Sequence, residues 1–259
     1  MRDKITSPLI RLLGWPLPLF HSETAVLDRW LWIRAHLPRR DDSPYLVDIG
    51  CGSGAFSIGS ALRGYRALGL SWDTRNRNVA SHRATLAGAN TARFELQDLR
   101  ALDARPDLRG KFDVALMCEV IEHIIDDMKL VRDVAATLKP NGTLLLTTPN
   151  AFAPALDPSH DGPFPKVEDG GHVRKGYTPE RLIELCRSAD LEPQEISYCT
   201  GFISQMLFIL YFRLSRINRT IAWLAVHPFR LFPPLLDARL SRFAPRPPYS
   251  ICLVARKLP

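Results

Sequence analysis

Short apolar runs alternate with longer segments of helical periodicity along most of the chain. Strands alternating with helices predict a parallel sheet with right-handed crossovers. Short strands that are apolar throughout fit burial on both faces of that sheet. The runs predict strands at residues 45–49, 66–70, 92–97, 112–118, 142–148, 195–199 and 250–255. The segments between them predict helices at residues 55–63, 75–87, 124–138 and 179–189, with a short turn near residues 101–107.

Two flanking segments depart from this alternation. Residues 1–44 predict a helical extension, with a helix over residues 21–37 and Ser22 as its N-cap. This helix either packs against the sheet or forms a lid over a ligand site. Residues 200–248 are apolar, arginine-rich and punctuated by prolines, and they predict a helical insert before the last strand. The core is therefore expected at residues 45–199, completed by a strand within residues 249–259.

Composition fits this picture. The chain has 259 residues, 46% of them hydrophobic and 24% charged, which suits one large soluble α/β domain with appendages. Its five cysteines are odd in number and scattered, which predicts reduced thiols and a cytoplasmic protein. We expect no signal peptide, because residues 1–4 are charged and the apolar stretch after them is interrupted by Arg11, Pro16 and Pro18. No run of residues reaches the length of a membrane span.

The net charge of +7 is compatible with an anionic partner such as RNA, a membrane surface or a phosphorylated substrate. An arginine-rich surface without a partner explains it equally well. Nucleic acid is the less favoured partner, because the basic residues are not interleaved with aromatic residues in one patch.

A glycine-rich turn follows the first predicted strand. Residues 47–54 read Val-Asp-Ile-Gly-Cys-Gly-Ser-Gly, with glycines at positions 50, 52 and 54. Glycine allows a tight turn and a close approach of the backbone to a ligand. The helix expected next would offer unpaired N–H groups at its start. The segment is thus typical of a nucleotide-binding turn.

With Val-Asp-Ile before it, this turn resembles the first motif of the class I S-adenosylmethionine-dependent methyltransferases. Residues 113–124 (Asp-Val-Ala-Leu-Met-Cys-Glu-Val-Ile-Glu-His-Ile) resemble the fourth-strand motif of that family, and residues 138–150 match its helix-to-fifth-strand segment. The resemblance covers about residues 45–198 and the last strand. It implies a Rossmann-like, seven-stranded, mostly parallel sheet with helices on both faces and an antiparallel last strand. It also implies S-adenosyl-L-methionine as the cofactor.

The resemblance further implies a set of cofactor-binding residues: Asp48, Gly50, Cys51, Gly52, Gly54, Trp72, Asp73, Asp98, Leu99, Cys118 and Glu119. Asp98 would accept a hydrogen bond from the adenine amino group, and the Leu99 N–H would contact the ring. The family's ribose-binding acid is missing, since Ser71 stands in its place. Asp73 or Asn76 would bind the ribose instead, unless Asp73 only caps the next helix.

Methyl transfer to a hydroxyl needs a base or a metal ion to remove or acidify the proton. Glu119, Glu122 and His123 are spaced i, i+3 and i+4, so a helix there would place them on one face. With His172 from a later loop they resemble the Mg²⁺, Mn²⁺ or Zn²⁺ site of two family branches. These are the small-RNA ribose 2′-O-methyltransferases and the ubiquinone-pathway O-methyltransferases.

Two alternatives for these residues stay open. Glu122, His123 and His172 act without metal as acid, base or substrate contacts, or all of them are structural. The long loop over residues 151–175 is a candidate substrate lid, and its His160 is a further candidate base.

The sequence therefore predicts methylation of an oxygen on a small or medium acceptor: a sugar or glycolipid, a phenol or another natural product. RNA ribose 2′-O-methylation and a non-catalytic cofactor-binding subunit are the alternatives. The apolar insert would shape the acceptor pocket, and it either packs as ordinary core or attaches the protein peripherally to the inner membrane surface. The sequence does not define the oligomeric state.

Overall fold

The computed structural model describes residues 24–37, 39, 41–156, 161–231, 236–237, 243 and 246–259. The predicted cap at Ser22, the rest of the extension before residue 24, and His160 lie outside the described residues.

A seven-stranded sheet forms the centre of the fold, in the order β3-β2-β1-β4-β5-β7-β6. Strands β1 to β5 are parallel, and β7 runs antiparallel to both β5 and β6. The predicted fold class is confirmed. The strands are β1 (Tyr45–Ile49), β2 (Arg66–Ser71), β3 (Ala92–Leu96), β4 (Phe112–Cys118), β5 (Leu138–Pro149), β6 (Leu191–Cys199) and β7 (Ser250–Lys257).

Strand β5 begins four residues before its predicted start. Leu138 already pairs with Phe112, and a register shift follows before regular pairing resumes at Val114 and Thr143. This irregularity was not visible in the sequence, because Pro140, Asn141 and Gly142 read as a turn.

The helices are α1 (Thr24–His36), α2 (Ala55–Ala61), α3 (Thr74–Ala87), α4 (Asp127–Thr137), α5 (Pro179–Arg187), α6 (Phe202–Ser215) and α7 (Arg219–Val226). Short 3₁₀ segments lie at Leu99–Ala104, Pro106–Leu108, Ile121–His123 and His227–Leu231. Helix α4 starts three residues later than predicted, because the Asp126 side chain accepts a hydrogen bond from the Lys129 N–H and caps the helix there.

The sheet is buried on both faces. Leu46, Leu116 and Leu145 face one cluster of buried side chains, which includes residues of α1 and α2. Their neighbours Val47, Met117 and Leu146 face the other cluster, which includes residues of α4 and α5. Alternate strand residues therefore enter opposite layers, as expected for a sheet covered by helices.

Helix α1 packs tightly against this core. A Cβ atom on Gly59 of α2 would lie 2.3 Å from the Trp30 ring, so glycine is needed for the two helices to approach. The Trp32 Nε1–H donates to Ser197 Oγ at 3.0 Å and ties α1 to β6. Of the two interpretations of the N-terminal helix, the described residues show packing.

The predicted helical insert is present as α6 and α7. The Asp237 carboxylate accepts hydrogen bonds from the backbone N–H groups of Ile203 and Ser204 and so caps the start of α6. Phe208 and Ile209 pack on the segment that follows β5. Among the helices of the described residues, none has the length and apolar character needed to cross a membrane.

Candidate active site

A cavity of about 390 Å³ opens beyond the carboxyl ends of β1, β2 and β4. This is where open α/β sheets bind ligands. The loop before α5 forms part of its wall. Its lining residues are Gly50, Gly52, Ser71, Trp72, Asn76, Asp98, Leu99, Arg100, Glu119, Val120, His123, Ile124, Glu168, Asp169 and Gly170.

The glycine turn borders this cavity with a backbone that other residues rarely adopt. Gly50, Gly52 and Gly54 have φ of 73°, 50° and 81°. A Cβ on Gly50 would lie 2.5 Å from Val120 Cγ2, and one on Gly54 would lie 2.8 Å from Ala80 Cβ. A Cβ on Gly52 would meet no atom within 4 Å. Gly50 and Gly54 therefore serve close packing, whereas Gly52 faces the open cavity.

Asp48 lies beneath the turn and outside the cavity lining. It is buried, and the Ser57 hydroxyl donates to its Oδ2 at 2.6 Å, which joins β1 to α2. Burial raises the pKa of Asp48 to about 6. The structure thus places this predicted cofactor residue in a supporting position.

Cys51 and Cys118 are buried beside the cavity without lining it. Burial raises the pKa of both thiols above the usual range, so both are neutral at physiological pH. Neither thiol has the lowered pKa that is typical of an activated nucleophile.

Trp72 and Asn76 line the end of the cavity nearest β2. Trp72 is 71% exposed. The Asp73 side chain accepts from the backbone N–H groups of Arg75 and Asn76 at 3.0 and 3.2 Å, so it caps α3. Of the two interpretations of Asp73, the cap is observed. Asn76 remains at the cavity wall as the candidate ribose ligand.

Asp98 also lines the cavity, with Arg100 folded back onto it. Arg100 Nε donates to both Asp98 carboxylate oxygens, at 2.9 and 3.0 Å, and hydrogen bonds from Arg100 lower the pKa of Asp98. Arg100 Nη1 also lies 3.6 Å from Glu168 Oε2. Glu168 Oε1 accepts from the Ile125 N–H at 2.5 Å, which fastens the loop before α5 over the cavity.

Sequence reasoning missed Arg100, Glu168, Asp169 and Gly170. The loop before α5 was predicted as a lid over the substrate, and three of these residues belong to it. The length of that loop was the available signal, but it does not show which residues turn inward.

Glu119 adopts a left-handed conformation, with φ of 54°, and the 3₁₀ segment Ile121–His123 starts two residues later. The expectation that Glu119, Glu122 and His123 project from one face of a helix is therefore wrong. The Glu119 carboxylate lies 2.8 Å from Arg29 Nη2 and accepts hydrogen bonds from Thr147 and Ser250 at 3.1 and 3.3 Å. It is engaged by the sheet and by α1.

Three of the four predicted metal ligands do come together. Carboxylate and imidazole atoms of Glu122, His123 and His172 lie within 4.8 Å of one another, and Glu119 is outside this group. Glu122 is fully buried, and its Oε2 accepts from the Thr148 hydroxyl at 3.1 Å. Its Oε1 has no hydrogen-bond partner among the described residues. Burial, with a further contribution from Glu119, raises the pKa of Glu122 well above its usual range.

His123 is held in one tautomer. Its Nδ1 lies 3.0 Å from the Gly171 carbonyl oxygen, which only accepts, so Nδ1 carries the proton. In the neutral ring Nε2 then keeps its lone pair, 3.8 Å from Glu122 Oε1. The ring of His172 meets that of His123 edge to face, with centroids 4.6 Å apart. This arrangement suits Nε2 either as a base or as a metal ligand.

A family model described as a methyltransferase domain matches residues 25–196. The chain belongs to the class I S-adenosylmethionine-dependent methyltransferases. The matched region includes nearly all of α1, strands β1 to β5 and the first part of β6, and the sheet order with an antiparallel β7 agrees with it. The expected family and cofactor are thereby confirmed.

Curated relatives of this methyltransferase include two proteins named ubiquinone biosynthesis O-methyltransferase. The one from Cereibacter sphaeroides is 33% identical over 153 residues, covering 57% of the chain and 60% of the relative. The one from Marinobacter nauticus is 28% identical over 159 residues, covering 60% of the chain and 66% of the relative. The chain thus matches less than two thirds of each relative's length.

A solved structure of phosphoethanolamine N-methyltransferase 2 from Haemonchus contortus, in complex with S-adenosyl-L-methionine, also resembles this methyltransferase. The TM-score is 0.63 at 18% identity, over 89% of this chain and 52% of that one. At this identity the likeness concerns the fold alone.

Proposed function

We propose that this methyltransferase transfers the methyl group of S-adenosyl-L-methionine to a hydroxyl oxygen of a small or medium-sized acceptor. The observation that carries the proposal is the lone pair of His123 Nε2, at the cavity wall beside Glu122 and His172. An oxygen acceptor needs its proton removed, and this nitrogen is the group placed to take it. The names of the curated relatives support O-methylation as well.

The chain's own residues contribute positioning and proton transfer. The methyl group leaves a sulfonium readily, so alignment of the acceptor is the larger demand, worth about 7–11 kcal/mol in favourable cases. His123 accepts the hydroxyl proton at Nε2 while the Gly171 carbonyl holds the ring in place. A positioned base of this kind contributes roughly 10²- to 10⁴-fold in rate.

We propose one orientation of the cofactor in the cavity. Gly50, Gly52 and the Glu119 backbone would hold its methionine part, and Trp72, Asp98 and Leu99 would surround the adenine. Asn76 would bind the ribose where the family carries an acid. For Asp98 to accept from the adenine amino group, Arg100 must release part of its contact with the carboxylate.

The group formed by Glu122, His123 and His172 also fits a divalent cation. A buried carboxylate oxygen without a hydrogen-bond partner and two imidazoles make a mixed oxygen and nitrogen donor set. Such a set suits Zn²⁺ or Mn²⁺ better than Mg²⁺, which prefers oxygen ligands. A cation held there would acidify an acceptor hydroxyl.

The acceptor we propose carries an apolar part, such as a lipid-linked phenol or a glycolipid. This is supported by the apolar packing of Phe208 and Ile209 of the insert on Ala153 and Leu156, in the segment just beyond the end of β5. We also propose that the protein works in the cytoplasm, at a membrane surface. Five free thiols support a reducing compartment.

The test is methyl transfer from labelled cofactor to a panel of catechols, phenols and sugars, with cofactor binding measured separately by calorimetry. His123→Gln is expected to lower kcat by about 10²-fold or more while the cofactor Kd stays within a few-fold. Cofactor binding without transfer to any acceptor would favour the non-catalytic alternative. Chelator treatment followed by Zn²⁺ or Mn²⁺ separates the metal from the metal-free form, since a metal-free enzyme responds to neither.

A further inference from the structure

The positive charge of the protein is concentrated in the insert. Residues 200–248 contain seven arginines, one aspartate and no lysine or glutamate, a formal charge of +6 out of +7 for the whole chain. The single acid, Asp237, is buried and caps α6. Among the described residues of the insert, the exposed charged groups are therefore cationic.

Helix α7 is apolar on both sides. Ala222 and Val226 are fully buried and face the protein, whereas Ile221 and Leu224 are 57% and 59% exposed on the opposite side. A helix that is apolar all round needs apolar surroundings on every side. The described part of the chain supplies them on only one side.

The exposed apolar side chains continue beyond α7. Ile217, in the turn between α6 and α7, is 83% exposed, and Leu210 and Phe229 are 43% and 52% exposed. Arg213 and Arg216 are exposed in the last turn of α6 and just after it, and the Arg216 guanidinium lies 5.1 Å from the centre of the Phe212 ring. We call this set the basic apolar surface: Leu210, Arg213, Arg216, Ile217, Ile221, Leu224 and Phe229.

We propose that the basic apolar surface docks onto a bilayer containing anionic phospholipid. Its aliphatic and aromatic side chains would enter the boundary of the acyl chains, and its arginines would meet the lipid phosphates. The proposal deepens the proposed function, on which it rests for the lipid-like nature of the acceptor. Exposed aliphatic side chains are unfavourable in water. Docking onto a bilayer would explain why this cationic segment carries several of them.

The helix that carries part of the docked surface also packs on the segment that follows β5. Helix α6 packs through Phe208 and Ile209 on Ala153, five residues after Thr148, whose hydroxyl donates to Glu122. The insert thus connects the lipid phase with the end of β5 where methyl transfer is proposed.

RNA shares phosphate chemistry with anionic lipid but does not fit the aliphatic part of this surface. Ile217, Ile221 and Leu224 offer no ring on which a base would stack. The test below therefore includes RNA as a competing ligand.

The experiment is co-sedimentation of the full chain with vesicles of phosphatidylcholine, with and without phosphatidylglycerol. We expect binding to the mixed vesicles and much weaker binding to the neutral ones. Ile221→Asp with Leu224→Asp should reduce binding at least about 10-fold, by removing apolar insertion and adding like charge. Arg213→Gln with Arg216→Gln should reduce the preference for anionic lipid by roughly 10- to 30-fold.

Two control variants make the same changes in charge at exposed positions outside the insert. Leu62→Asp with Leu258→Asp alters two leucines that are 37% and 49% exposed outside the insert, and Arg109→Gln with Arg132→Gln alters two exposed arginines. Both controls should sediment like the unaltered protein. Equal loss in the controls, or tight binding of polyuridylate without vesicle binding, would overturn the proposal.

Turnover on a soluble acceptor and cofactor binding are measured on the same variants. Both should be unchanged in the Ile221 and Leu224 variant, which shows that it is folded. Vesicle binding without turnover would defeat the proposed function but leave the docking surface standing. Turnover without vesicle binding would overturn the docking surface but leave the proposed function standing.

Discussion

Arg29 Nη2 lies 2.8 Å from Glu119 Oε2, so α1 is joined to the residue that follows β4 at the cavity wall. Both side chains are largely buried, at 10% and 17% exposure. The guanidinium offsets the charge of one carboxylate in a region where Glu122 is already buried close by. Helix α1 thereby has an electrostatic role at the site as well as a packing role.

Removal of either partner of this pair is expected to leave a buried charge without compensation. We expect Arg29→Met or Glu119→Gln alone to lower the free energy of unfolding by about 3 kcal/mol. Urea denaturation measures this loss in the free energy of unfolding. The double variant should lose clearly less than the sum of the two, because the uncompensated charge is gone. Strict additivity would show that the pair contributes nothing.

The glycine turn gives a matched comparison. Gly50→Ala introduces a left-handed alanine and a 2.5 Å collision with Val120, whereas Gly52→Ala introduces only the left-handed alanine. We expect losses in the free energy of unfolding of about 3–4 kcal/mol for the first and about 1–2 kcal/mol for the second. Thermal and urea unfolding compare them directly. Similar losses would contradict the assigned packing role of Gly50.

The two glycine variants also distinguish an effect on stability from an effect on cofactor binding. The Cβ of Gly52→Ala enters the cavity, so this variant should bind S-adenosylhomocysteine more weakly in calorimetry although it stays folded. Unchanged affinity in the Gly52 variant would mean that the cofactor does not approach the turn there.

The fold was predictable because its signals are local. Alternating apolar runs and the Gly50 turn show strands and helices over short stretches, and the order of a doubly wound sheet follows from crossover rules. The strands differ from their predicted bounds mainly at the starts of β5 and β6, which begin four residues early at Leu138 and Leu191 and pair irregularly there.

Much of the site was not predictable because its contacts are between distant residues. Glu168 reaches Arg100, and Arg29 reaches Glu119, across 68 and 90 positions of sequence. The error at Glu119 has a different cause. Its left-handed backbone ends the periodicity that the spacing with Glu122 suggested, and glutamate is not among the non-glycine residues that favour a positive φ.

Trp72 offers a test of where the adenine binds. It lines the cavity, is largely exposed, and its ring lies against Gly170 of the loop before α5. Trp72→Ala should weaken binding of S-adenosylhomocysteine by roughly 10-fold, as a lost aromatic contact of about 1–1.5 kcal/mol. Trp72→Phe should restore most of the affinity. Calorimetry is the measurement, and equal affinity of all three proteins would place the adenine elsewhere.

Asp48 should make the protein less stable as the pH rises. Its pKa is about 6 in the folded protein against 3.8 for an ordinary aspartate, so between about pH 4 and pH 6 the folded state holds a proton that the unfolded state has lost. The unfolding free energy then falls through that window, by on the order of 2–3 kcal/mol in total, and this side chain causes no further change above it.

The variant Asp48→Asn tests this expectation, because it keeps an acceptor for the Ser57 hydroxyl but cannot ionise. Subtracting the urea-unfolding profile of this variant from that of the unaltered protein should show the fall, while Asp41→Asn, at an exposed site, should not remove it. A flat difference between pH 4 and pH 7 would mean that Asp48 is ionised throughout this range.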